Sequence, residues 1–306
     1  MLINAEKVKR NKAIDKAARM FFLAMALLSS SFIVILVLFI FMKGISPFLP
    51  NYQYGTVNLI DFLFGMTYRQ DQKLYGVGFI VINTLISSFA ALLISLPISV
   101  LTALFIVKIA PKQLSGLMQA VVELLASIPS IVYGVFAAGV LTDFVKWLAS
   151  LFNVTTAGGS SLLAVILLLA IMIFPTITSM AITAIGAVDR DLEHASLALG
   201  ATETQTNFKV VLISAKSGIF AGAILGLGRA FGEATAVSMV AGNKLYGPTF
   251  SLFDITKTLT STMLAGLKET TGLDYDIRFS VGIVLLVVIF GSNWLLNLVK
   301  QKVGNM

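Results

Sequence analysis

The chain has 306 residues, of which 57% are hydrophobic and 12% charged, with a formal net charge of +7. A soluble domain carries about twice that charged share, so the composition points to an integral membrane protein, with the bilayer as its first partner. There is no cysteine and one histidine, His194, which excludes disulfide frameworks, thiolate metal sites and a cysteine nucleophile. The positive balance reads as the positive-inside bias of a membrane protein, so no nucleic-acid partner is expected.

A crossing helix needs about 20 apolar residues to span about 30 Å of hydrocarbon. Residues 1–19 form a basic tail with six Lys/Arg. The first apolar run, 20–42, is longer than the roughly 7–15 residues of a signal-peptide core and is read as a span. The second span is expected over 78–107, with a kink at Pro97. The third is expected over 114–142, interrupted among charges only by Glu123. Its Glu123 reads as an interfacial acid that caps or pairs with Lys112. The fourth is placed at 161–186, and Pro129 and Pro175 are expected to kink the third and fourth. The fifth is placed at 217–240 and the sixth at 279–299. The fold class is therefore all-α, with six transmembrane helices. Lys and Arg are denser in the tail, at Lys108 and Lys112, in 189–216 and at Lys300 and Lys302, which places both termini in the cytoplasm.

Two segments outside the spans have structure of their own. Residues 241–278 read as a segment that folds back as a short hairpin at the outer surface. Residues 189–214, DRDLEHASLALGATETQTNFKVVLIS, show a helical rhythm at Leu192, Ala195 and Leu199. Two short helices joined at Gly200-Ala201 are expected there, lying on the cytoplasmic face.

The fifth span contains GLGRAFGEATAV, residues 226–237, with Arg229 and Glu233 four apart. A charge at the bilayer centre costs about 2.5–3.5 kcal/mol on insertion scales. At that spacing the two residues share a helical face and are expected to touch. The small-residue pairs Gly222/Gly226 and Gly228/Gly232 predict close helix packing around them. Hydroxyls at Thr84, Ser87, Ser130, Thr176, Thr178 and Ser179 are expected mostly to bond their own helix backbone.

The inner loop resembles that of permease subunits of bacterial ABC importers, of the form E-A-A, three residues, G, nine residues, I-x-L-P. Gly200 takes the glycine position, and Val210-Val211-Leu212-Ile213 the final one, with Ile213 in place of proline. The triplet falls on His194-Ala195-Ser196, so histidine replaces the glutamate and Glu193 lies one place early. Glu123-Leu-Leu-Ala-Ser-Ile-Pro-Ser-Ile-Val-Tyr-Gly134 is similar to a stretch of the phosphate permease pair, PstC and PstA. Residues 226–237, followed by Ala241-Gly-Asn243, are similar to a late helix of the PstC type, and sulfate and molybdate permeases share its R-x-x-G-E pattern.

The resemblance implies a type I importer fold and a permease subunit for inorganic phosphate. Sulfate, molybdate or tungstate are alternative cargoes, the PstA-like half an alternative identity, and an ion-coupled secondary transporter a more distant one. It implies a PstA-like second permease, a PstB-like ATPase dimer and an extracytoplasmic PstS-like phosphate-binding protein. It places His194, Ala195, Ser196, Gly200 and Ala201 in a helix that docks into the ATPase. ATP and magnesium belong to that partner; this chain has no GxxxxGK[ST] loop and no cofactor is expected in it. Within the phosphate reading, the Arg229 guanidinium meets the anion in the pathway and Glu233 holds it when no anion is present. An ion pair locking two permease halves is the competing reading, and both can hold together.

Overall fold

The computed structural model describes residues 5–304 and is almost entirely helical; residues 1–4 of the basic tail lie outside the described residues. Helix α1, Ala5–Ile45, runs without a break from the tail through the first apolar run. A short helix α2, Leu59–Phe64, and a two-stranded antiparallel ribbon, β1 Tyr68–Arg69 with β2 Leu74–Tyr75, precede α3, Gly78–Leu104. Helix α3 passes through Pro97 and ends in a π turn, Phe105–Ile109. Then follow α4, Lys112–Ser127, α5, Ser130–Phe136, and, after a π turn, α6, Thr142–Leu151. Helix α7 is Leu162–Gly186 and α8 is Arg190–Ala198. A single turn α9, Glu203–Thr206, leads through a π turn, Asn207–Val211, into α10, Leu212–Gly232. Helices α11, Thr235–Val240, α12, Leu259–Leu264, and α13, Leu273–Gly304, complete the chain.

Six stretches among the described residues are long and apolar enough to cross a membrane: Ile14–Phe48, Gly78–Ile109, Ser130–Leu151, Leu162–Gly186, Glu203–Gly232 and Leu273–Gln301. Two differ from the sequence expectation. The third is not one helix over 114–142. Helix α4 ends at Ser127, Ile128 turns extended (φ −63°, ψ 126°), and the crossing stretch begins after Pro129. Proline has no N–H to donate and forces the residue before it out of the helical region. Past it the crossing stretch continues to Leu151, beyond Asp143 and Lys146, which pair with each other at 2.8 Å on an exposed flank. The fifth stretch begins at Glu203 and ends at Gly232, so the loop contains one short helix, α8, and the start of a long one, not two short helices.

Helix α7 is the centre of the bundle: two thirds of its apolar window is buried (67%), and α3, α10, α4 and α5 pack on it. By contrast, none of the window of α1 is buried. It joins α13 through contacts such as the Ser280 hydroxyl donating to the Gly44 carbonyl at 2.7 Å. At one end of the bundle Phe62, Tyr75, Ile80, Leu259 and Ile277 share a core. At the other, beside α8, Leu104, Ala181, Ile185 and Val211 share a smaller one. Segment 241–278 folds back, but not as a hairpin: Gly242 and Thr256 form a parallel bridge, Thr256 N–H donates to Ala241 O at 2.7 Å, and helix α12 is buried against α11 and α13. Buried Arg278 secures it by donating to the carbonyls of Thr262 (3.1 Å), Met263 (3.4 Å) and Ala265. These are C-terminal carbonyls of α12 with no partner inside the helix, the position where a cation is favoured.

Candidate functional site

Arg229 sits on the last turn of α10. Two glycines bring that helix down onto α7. A Cβ at Gly226 would stand 2.7 Å from Ile177 Cγ1, and one at Gly222 would stand 2.9 Å from Met180 Cβ, so only a residue without one permits the approach. The close approach lets the Arg229 guanidinium donate through Nη1 to the Thr176 hydroxyl at 2.9 Å. Thr176 follows Pro175 inside α7. Proline there leaves the carbonyl four residues back without its helical donor. Nearby, the Phe174 carbonyl accepts from Thr178 Oγ1 at 2.7 Å and from Ser99 Oγ at 3.2 Å.

Glu233 does not lie on the Arg229 face. Helix α10 ends at Gly232, and Glu233 turns extended (φ −77°, ψ 114°). Its carboxylate Oε1 accepts from Ala236 N–H at 2.9 Å, at the first turn of α11, and its carbonyl accepts from Thr260 Oγ1 at 2.7 Å. Among the described residues no ion pair joins Arg229 to Glu233. The i, i+4 argument assumed a continuous helix. Glycine is a poor helix residue, and the free N–H groups of a following helix compete for a carboxylate. Here they win it, and the guanidinium keeps a hydroxyl in place of an acid.

The glycines beside the charges stand open. A Cβ at Gly228 or Gly232 would meet no atom within 4 Å, and Arg229 and Glu233 are both half-buried. The two stretches singled out in the sequence, 123–134 and 226–243, do meet: Gly134 faces Ala236 and Met239. Glu123 is exposed on α4 and has no ion pair with Lys112 or any other described residue.

Helix α8 starts at Asp189, whose side chain accepts from Asp191 N–H. It ends at Leu199, 90% exposed, and the chain reverses at Gly200 (φ 85°), a left-handed conformation that favours glycine. Thr202 and Gln205 then form a capping box that starts the long helix. His194, Ala195 and Gly200 are exposed, while Ser196 and Ala201 are half-buried. Thr260 and Lys108, which the sequence reading did not single out, contact Glu233 and α8 respectively. Nothing in the local sequence marks either contact, since each joins residues far apart in the chain.

Residues 79–305 match the family model described as binding-protein-dependent transport system inner membrane component. The chain belongs to that family. It is a permease of the ABC importer class and a multi-pass plasma-membrane protein. It is 35% identical over 288 residues, 92% of this chain and 90% of the other, to the probable ABC transporter permease protein YqgH of Bacillus subtilis (strain 168). It is 33% identical over 262 residues, 80% of this chain and 82% of the other, to the phosphate transport system permease protein PstC of Pasteurella multocida (strain Pm70). Among solved structures, a bacterial alginate ABC transporter in complex with an alginate-bound periplasmic protein matches with a TM-score of 0.63 at 19% identity, over 94% of this chain and 97% of that one. The MetNI methionine ABC transporter, in an inward-facing form, matches with a TM-score of 0.55 at 22% identity, over 74% and 94%. At those identities the likeness concerns the fold.

Proposed function

We propose that the chain is the PstC-like permease subunit of an ATP-driven importer of inorganic phosphate, with Arg229 and Glu233 beside the pathway. The observation that carries the reading is a guanidinium held by a neutral hydroxyl at the open glycine edge of α10. Arginine presents a planar fork suited to two parallel hydrogen bonds with an oxyanion. Held by Thr176 and in no ion pair among the described residues, it is oriented but not neutralised, so an arriving phosphate has no carboxylate to displace. Glu233 acts differently from the sequence expectation: it fixes the α10–α11 break that ends the charged helix beside the site. The similarity to PstC proteins supports phosphate as cargo.

In this reading both termini are cytoplasmic. The α8 segment, with His194, Ala195, Ser196, Gly200 and Ala201, faces a PstB-like ATPase that uses ATP and magnesium. A PstA-like permease covers the open face of α10, and a PstS-like binding protein docks at the other end. The test is phosphate uptake by the assembled transporter carrying Arg229→Lys. Lysine keeps the charge and loses the fork. A charge-assisted hydrogen bond is worth about 1.5–3 kcal/mol, so uptake falls by roughly tenfold or more. Unchanged uptake with normal assembly removes the bidentate role.

A further inference from the structure

Helix α8 has almost no hydrophobic anchorage. None of its residues is buried, and Leu192 and Leu197 are 49% and 40% exposed. Between residues 190 and 200 only Glu193 and Ser196 are half-buried. They stand three residues apart, hence on one helical face, and each is tied to a different spanning helix. Glu193 Oε1 accepts from Lys108 Nζ at 2.5 Å, with the two side chains 20% and 16% exposed. The hydroxyls of Ser196 and Thr206 meet at 2.9 Å.

Both ties land at the same kind of backbone irregularity. Lys108 lies in the π turn Phe105–Ile109 that closes the second crossing stretch. Thr206 immediately precedes the π turn Asn207–Val211 in the fifth. Single π turns inside helices are rare and occur frequently at functional sites. Val107 and Val211, one from each turn, pack in one small apolar core. A helix with no buried side chain has little packing through which to draw a neighbour. A charge-assisted hydrogen bond between two half-buried groups is directional and short, and can do so.

We propose that the Lys108–Glu193 ion pair is the link through which α8 moves α3, while Ser196 and Thr206 link α8 to the fifth helix. Lys108 and Glu193 are positioning residues for the transport cycle. The inference rests on reading α8 as the segment that the ATPase holds. Helix α3 packs along α7, and α7 carries the Thr176 hydroxyl that holds Arg229. A displacement of Lys108 is thereby passed to the helix that orients the guanidinium.

The test is a charge-swap series in the complete transporter in lipid vesicles, with phosphate uptake and ATP hydrolysis read together. The variants are Lys108→Glu, Glu193→Lys, the double swap and Glu193→Gln. Coupling between two sites typically spans about 5- to 150-fold. Each single variant is expected to lower phosphate moved per ATP hydrolysed by about fivefold or more, with the ATPase still co-purifying, and the double swap to restore it. The link is overturned if Glu193→Gln keeps the wild-type ratio or if the double swap fails to recover it. It is also overturned if the single variants lose the ATPase, which would make the pair an assembly contact. A cross-link from Leu199→Cys to the ATPase separates the two ideas. Without that cross-link the reading of α8 falls and the inference with it; with it, a failed swap series removes the link alone.

Discussion

Thr176 decides how Arg229 behaves. Its hydroxyl accepts from the guanidinium without neutralising it. Thr176→Val keeps the shape and removes the acceptor, a loss of about 1 kcal/mol for a hydrogen bond of this kind. Phosphate uptake is expected to show a several-fold higher KM with little change in the amount of assembled transporter. A second residue-scale prediction concerns Lys257, which is 6% exposed and lies 4.7 Å from the centre of the Tyr68 ring. Among the described residues it forms no ion pair. Burial, and after it the charge of Arg278, push its pKa from 10.5 down to about 8. The unfolded chain thus binds the extra proton more readily between those two values, so stability rises as pH goes from about 8 to 10.5 and the penalty is fully present below 8. Lys257→Met is expected to raise the thermal midpoint of the detergent-solubilised protein at pH 7. The gain should fade as the pH approaches 10.5. A constant difference across that range would show that the ammonium is not what limits stability there.

Helix α10 shows what the sequence made legible and what it did not. The Gly222/Gly226 pair announced a close helix contact, and the structure supplies the neighbour, α7. Gly226→Val would drive a side chain into Ile177, and overpacking of this kind costs about 1–3 kcal/mol. A lower thermal midpoint is expected, together with weaker uptake, because the same contact carries Arg229 to Thr176. The end of α10 was not legible. Composition reads straight through Gly232-Glu233-Ala234, since each stays within a stretch apolar enough to span. The break depends on partners that come from elsewhere, Ala236 N–H for the carboxylate and Thr260 for the carbonyl. The third span failed for the opposite reason. Pro129 was visible, but a proline inside an apolar run can kink a helix or end it, and the sequence does not say which. Helix α8 was legible as a short helix stopped at Gly200, because its rhythm and its glycine are both local. Its ties to Lys108 and Thr206 are not local and left no mark on the pattern.

At the scale of the molecule, six crossing stretches leave a surface that is largely hydrocarbon, including the apolar part of α1 from Met20 onward. That suits lipid, and the bundle's two ends are then set apart by the membrane. The natural chain has no cysteine, so topology can be read by labelling single introduced thiols. In intact cells a membrane-impermeant maleimide is expected to label Lys73→Cys and to spare Leu199→Cys, and inside-out vesicles should show the reverse. Labelling of position 199 in intact cells would invert the proposed orientation. The contact between Thr260 and Glu233 reaches across this same geometry. Thr260 belongs to the folded-back segment, and Glu233 is where the arginine-bearing helix stops. Where the charged helix stops is thus fixed in part by a hydroxyl from a segment outside the crossing stretches.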